Sequence, residues 1–167
     1  MSYLLKSMTP AAFCLFVLAG VVHADEKKIP LDQVPKAVMD TLKGRFDGAV
    51  LKGAELVTED GKTTYEITLK HNGVNYEAIL TPEGRLAEYE KEIAAKDLPR
   101  EVTDALERKY SQPKYKLVEE VYKVKDGAER LESYEIVFET SDNKKFEVLV
   151  SPEGKITKEE ERKQKKD

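Results

Sequence analysis

Apolar residues along the chain change their spacing in an ordered way. Val34, Val38, Leu42 and Phe46 recur every four residues, and so do Leu98, Val102, Leu106 and Tyr110. That spacing puts each set on one stripe of a helix. Pro35 and Pro99 stand at the predicted helix starts, where a missing N–H costs nothing, and Asp97 is a candidate N-cap for the second helix. Beyond each helix the period drops to two. Tyr65, Ile67 and Leu69 alternate with Glu66, Thr68 and Lys70, while Tyr134, Ile136 and Phe138 alternate with Glu135, Val137 and Glu139. This is the pattern of an antiparallel strand buried on one side. Asn72-Gly73 predicts a tight hairpin into a strand over 74–80, and Ser141-Asp142-Asn143 does the equivalent job further on. Thr81-Pro82-Glu83-Gly84 and Ser151-Pro152-Glu153-Gly154 fit a type I turn, each leading to a last strand that starts near Arg85 or Lys155. Earlier strands are expected over about 50–58 and 116–124, where the alternation is weaker.

The same elements therefore occur twice. Val34-Pro35-Lys36-Ala37-Val38 aligns with Leu98-Pro99-Arg100-Glu101-Val102, Tyr65-Glu66-Ile67 with Tyr134-Glu135-Ile136, and Tyr76-Glu77-Ala78-Ile79-Leu80 with Phe146-Glu147-Val148-Leu149-Val150. Internal self-similarity of this kind predicts two tandem units, 25–93 and 94–163, followed by a charged tail, 164–167. The expected fold class is α+β: two repeats, each an N-terminal helix packed on a three- to four-stranded antiparallel sheet. Units of this size bury too little surface to be stable alone, so they should support one another through adjacent sheet edges or the 92–97 connection.

Residues 1–24 stand apart from this pattern. Lys6 is their only charged residue, Ala11 to Val22 is an apolar run, and Val22-His23-Ala24 resembles a signal-peptidase site. The run is too short for a membrane-spanning helix. A leader cleaved after Ala24 is expected, delivering the rest to the periplasm or the medium with no stable membrane insertion. Cys14, the single cysteine, lies in this segment, so the remainder has no thiol for a disulfide or a lipid anchor. The formal net charge of the chain is −4, and loss of Lys6 makes the remainder more acidic. Nucleic-acid binding, which needs a basic stripe, is not expected.

The order of these motifs, a hydrophobic-Pro helix start, a Tyr-x-Ile strand, a Tyr or Phe strand, then Pro-Glu-Gly and a closing strand, resembles the PepSY family. The resemblance is to its periplasmic branch, grouped with beta-lactamase-inhibitor-like folds. It runs twice over nearly all of residues 25–163. It implies an exported module that binds or inhibits another envelope or secreted protein, a peptidase among the candidate classes, and it carries over no catalytic residue.

Catalytic chemistry is correspondingly thin. Past residue 24 the only histidine is His71, in a hairpin, and there is no cysteine, so neither a nucleophile–base pair nor a zinc site of several His or Cys ligands is expected. Thr58-Glu59-Asp60-Gly61 and Lys125-Asp126-Gly127 lack the alternating oxygen ligands of a calcium loop and read as Asp-Gly turns. No cofactor is expected. Glu66, Glu77, Glu135 and Glu147 recur on the strand face away from the apolar stripe, and the simplest reading of these acids is a solvated face. Ile79, Val137 and Leu149 sit among them, however, and an apolar patch rimmed by charge is what a protein-binding surface looks like. Those seven residues are the candidate protein-binding site of a non-enzymatic module. The alternative is a binder of a small ligand or cation in a cleft between the repeats.

Overall fold

The computed structural model describes residues 25–162. The expected leader, 1–24, and the charged tail, 164–167, lie outside the described residues. In chain order the elements are β1 (Asp25–Ile29), a 3-10 turn (Leu31–Gln33), α1 (Lys36–Arg45), β2 (Val50–Glu59), β3 (Lys62–His71), β4 (Val74–Leu80) and β5 (Leu86–Glu92). A second 3-10 turn (Ala95–Asp97), α2 (Arg100–Lys109), β6 (Lys114–Lys125), β7 (Ala128–Glu139), β8 (Lys145–Val150) and β9 (Ile156–Arg162) complete the series. Among the described residues no helix is long and apolar enough to cross a membrane.

The expected α+β architecture of two helix-on-sheet repeats is not what forms. All nine strands join one antiparallel sheet in sequence order, β1 to β9, and the two helices are only ten residues each. The molecule is mostly β. The reason lies at β5, whose far edge is paired with β6 through Glu88↔Lys123, Tyr89↔Tyr122, Glu90↔Val121, Lys91↔Glu120 and Glu92↔Glu119. Two separate sheets would each have left an unpaired edge here, with a row of unsatisfied N–H and C=O groups. A second correction concerns Asp97: it lies in the 3-10 turn, and Pro99 holds the N-cap position of α2 with no side-chain cap.

The turns explain how the strands are aimed. Asp60-Gly61, Asn72-Gly73 and Asp126-Gly127 all have positive φ at both residues, the geometry of two-residue hairpins whose twist matches that of the strands. The Pro-Glu-Gly turns also tether the helices. A Cβ on Gly84 would lie 2.4 Å from the Ala37 carbonyl oxygen, and one on Gly154 would lie 2.3 Å from that of Glu101. Each glycine thus lets a turn press directly against a helix backbone, and Thr41 Oγ1 donates to the Gly84 carbonyl at 2.7 Å.

Both helices cover the same sheet face. Val34, Val38, Leu42 and Phe46 pack on Ala54, Ile67, Leu69, Ala78 and Leu80. Leu98, Val102, Leu106 and Tyr110 pack on Val118, Tyr134, Ile136, Phe138, Val148 and Val150. The cross-strand series Ala54, Ile67, Ala78, Tyr89, Tyr122 links the two clusters along one side of the sheet. The opposite side has no helix over it.

Candidate functional site

The seven candidate residues all lie on the helix-free face, as cross-strand neighbours. On β3 and β4, Glu66 opposes Ile79 and Thr68 opposes Glu77; on β7 and β8, Glu135 opposes Leu149 and Val137 opposes Glu147. They do not form a solvated acidic face. Glu77, Ile79, Glu135, Val137 and Glu147 are buried, with Glu135 fully inaccessible, and only Glu66 and Leu149 are partly exposed. Val50 is the exposed large hydrophobic among the described residues, so little apolar area is open on this face.

Three further acids complete the arrangement. Glu88 and Glu90 of β5 and Glu119 of β6 are buried on the same face, between the two groups of candidate residues. Carboxylates then oppose one another directly: Glu77 faces Glu90, Glu92 faces Glu119, and Glu119 faces Glu135. Directly opposed like charges destabilise a sheet, and burial adds to that cost. Burial, reinforced by Glu66, Glu119, Glu135 and Glu55, pushes the Glu77 carboxyl up to about 9. Burial, with Glu135, Glu92 and Glu147, raises Glu119 to about 8 against the opposing pull of Arg162. Glu66 rises to about 7 through burial and the charges of Glu26 and Glu55. Cations occupy the rim: Lys123 pairs with Glu88, Arg162 with Glu147, and Lys28 lies 3.9 Å from Glu55. Asn75 Nδ2 donates to Glu92 at 2.5 Å.

A second feature lies on the helix-covered face, in the gap between the two core clusters. A groove of about 440 Å³ is lined by Arg45, Phe46, His71, Tyr76, Tyr89, Lys91, Tyr122 and Glu129. Tyr89 and Tyr122 stack at 4.9 Å with their planes 9° apart, and Tyr76 stands between Tyr89 and Phe46. Arg45 lies 5.3 Å over the Tyr89 ring and 2.5 Å from Glu129, whose carboxyl accepts the Tyr89 hydroxyl at 2.7 Å. That hydroxyl, helped by Arg45, holds the Glu129 carboxyl below its ordinary range. His71 belongs to this wall, with its ring 5.8 Å from Phe46, and has a structural neighbourhood that its place beside a turn did not suggest.

Sequence reasoning missed Glu88, Glu90 and Glu119, although Glu88, Glu90 and Glu92 alternate with Tyr89 and Lys91 as the faces of a strand do. The groove had no such signal, because it is assembled from one helix end and five strands.

No family model matches this chain, and no curated protein matches it. Solved structures do show the fold. A BLIP-like protein from Bacteroides fragilis has a TM-score of 0.56 at 20% identity, covering 80% of this chain and 90% of that one. A periplasmic protein from Bacteroides eggerthii has a TM-score of 0.60 at 16% identity, covering 77% and 88%. A DUF2874 family protein from Bacteroides uniformis has a TM-score of 0.59 at 16% identity, covering 76% and 88%. At these identities the likeness establishes a BLIP-like fold.

Proposed function

We propose that this chain is an exported, non-enzymatic binding module, and that another envelope or secreted protein docks on its helix-free face. The observation behind this reading is the concentration of carboxyl groups on an uncovered sheet face, with Leu149 partly open among them. Keeping these acids close together costs stability, and a partner bearing lysines or arginines would relieve that cost on binding. The leader-like segment agrees with export, and so do the BLIP-like and periplasmic proteins whose fold this chain shares. The PepSY-like order of motifs points to the same class of module, with a peptidase among the candidate partner classes.

Because Ile79 and Val137 are buried, truncating them would test folding rather than binding. The better test uses Glu66→Lys with Leu149→Arg, both at partly exposed positions. Wild-type protein immobilised on a resin should retain a basic envelope protein through a moderate salt wash, and the double variant should retain none while melting as the wild type does. Equal capture by both proteins would exclude this face.

A second reading, binding of a small ligand, is favoured by the aromatic groove between the core clusters. A planar or sugar-like molecule would stack on Tyr89 and Tyr122 and meet charged groups at Arg45, Lys91 and Glu129. Ligands of that kind should raise the melting temperature of the wild type and not of Tyr122→Ala.

A further inference from the structure

The floor of the helix-free face brings three carboxylates to one point. One oxygen from each of Glu90, Glu119 and Glu135 lies within 4.8 Å of the other two, and all three residues are buried. They come from three consecutive strands, β5, β6 and β7, so the sheet itself fixes their spacing. A fourth buried acid stands beside this group on the neighbouring strand, β4. Glu77 opposes Glu90 across the β4–β5 pairing, is 8% exposed, and its Oε1 has no hydrogen-bond partner among the described residues. Glu119, 6% exposed, has its Oε2 in the same condition. Buried oxygen atoms of this kind are normally satisfied by a donor or a cation, and leaving them bare is costly.

We propose that Glu90, Glu119 and Glu135 bind one divalent cation, calcium in the first place, with Glu77 as a fourth oxygen donor. Three arguments lead there. The donors are all carboxylate oxygens, with no nitrogen or sulfur, which suits a hard cation rather than zinc or copper. Oxygens within 4.8 Å of one another lie at most about 2.8 Å from a shared centre, close to a calcium–oxygen length of about 2.4 Å, so small side-chain adjustments bring all three onto one ion. Carboxylates that bind in either one- or two-oxygen mode supply the six to eight oxygens calcium takes, whereas magnesium demands a stricter octahedron and retains its waters. The bound ion ties β4, β5, β6 and β7 together at the junction of the two halves of the sheet. The inference is independent of whether a protein docks above: capture of a partner from chelator-treated fractions would survive failure of the ion site, and ion binding would survive failure of capture.

The test is isothermal titration of the chelator-treated, purified protein with calcium chloride and with magnesium chloride at fixed ionic strength, repeated on Glu119→Gln, Glu90→Gln and Glu83→Gln. Glu83 is an acid of the β4–β5 turn and removes the same charge away from the site. The expected result is one calcium per chain, magnesium at least tenfold weaker, and at least tenfold weaker calcium binding in Glu119→Gln and Glu90→Gln. Glu83→Gln should bind as the wild type does. Circular dichroism establishes that each variant is folded, and two ligand variants keep the test open if one is not. No binding at millimolar calcium, wild-type affinity in both folded ligand variants, or an equal loss in Glu83→Gln would each overturn the assignment.

Discussion

Single residues carry the clearest expectations. Glu66 has an ordinary carboxyl value near 4.5 when unfolded and about 7 when folded, because burial and then Glu26 and Glu55 disfavour its charge. The folded state therefore holds more protons between those values, and the contribution of Glu66 to stability falls as pH rises from about 4.5 to 7 and then levels off, while Glu119 and Glu77 extend the decline to about 8 and 9. Urea unfolding of wild type and Glu66→Gln over this range should show the variant lacking that part of the slope. It should gain on the order of 1–3 kcal/mol relative to wild type by pH 8. Glycine substitutions separate strain from contact. Gly61→Ala imposes only positive φ, in open space, and should cost about 1 kcal/mol. Gly154→Ala adds a clash with the Glu101 carbonyl and should cost about 2–4 kcal/mol, read from the same denaturant curves. The acids of the site were legible as positions, since their face follows from period two. Their burial was not, because it depends on Glu90, Glu119 and other side chains brought alongside by strands remote in sequence.

At the scale of elements, the helices and hairpins were readable where one period persists. Val38, Leu42, Val102 and Leu106 are all inside the core, and truncating Leu42 or Leu106 to Ala should cost about 2–5 kcal/mol in thermal or urea unfolding. The strands with weaker alternation have a physical explanation in their bulges. Pairing slips at Lys52 in β2, at Lys116 in β6 and at Glu132 in its partner β7. Each slip inserts a residue and inverts the face of everything after it, so a single period cannot describe the strand. β1 escaped notice because Asp25-Glu26-Lys27-Lys28-Ile29 has almost no apolar face. Its charges have a use of their own: β1 and the equally charged β9 are the sheet edges, and charged edges resist pairing with other chains.

For the whole molecule, the joining of β5 to β6 matters most; contact through adjacent sheet edges was one of two expectations for the paired units, but which residues pair, and in what register, was not legible. Glu88↔Lys123 and Lys91↔Glu120 are charged positions that could equally have faced water on two free edges. The continuous sheet couples the two core clusters. Leu42→Ala in one and Leu106→Ala in the other should lower the midpoint of a single calorimetric transition, with calorimetric and van't Hoff enthalpies in agreement. Separate melting of the two clusters would show the β5–β6 pairing to be weak. The order of the strands has another consequence. Each one pairs only with its neighbours in sequence, so no strand waits for a partner synthesised much later. Contact order is low for a protein so rich in β-structure, which favours rapid folding. A chain that emerges from a membrane pore N-terminus first can add its sheet one hairpin at a time, leaving only the latest edge open while the rest is still in transit.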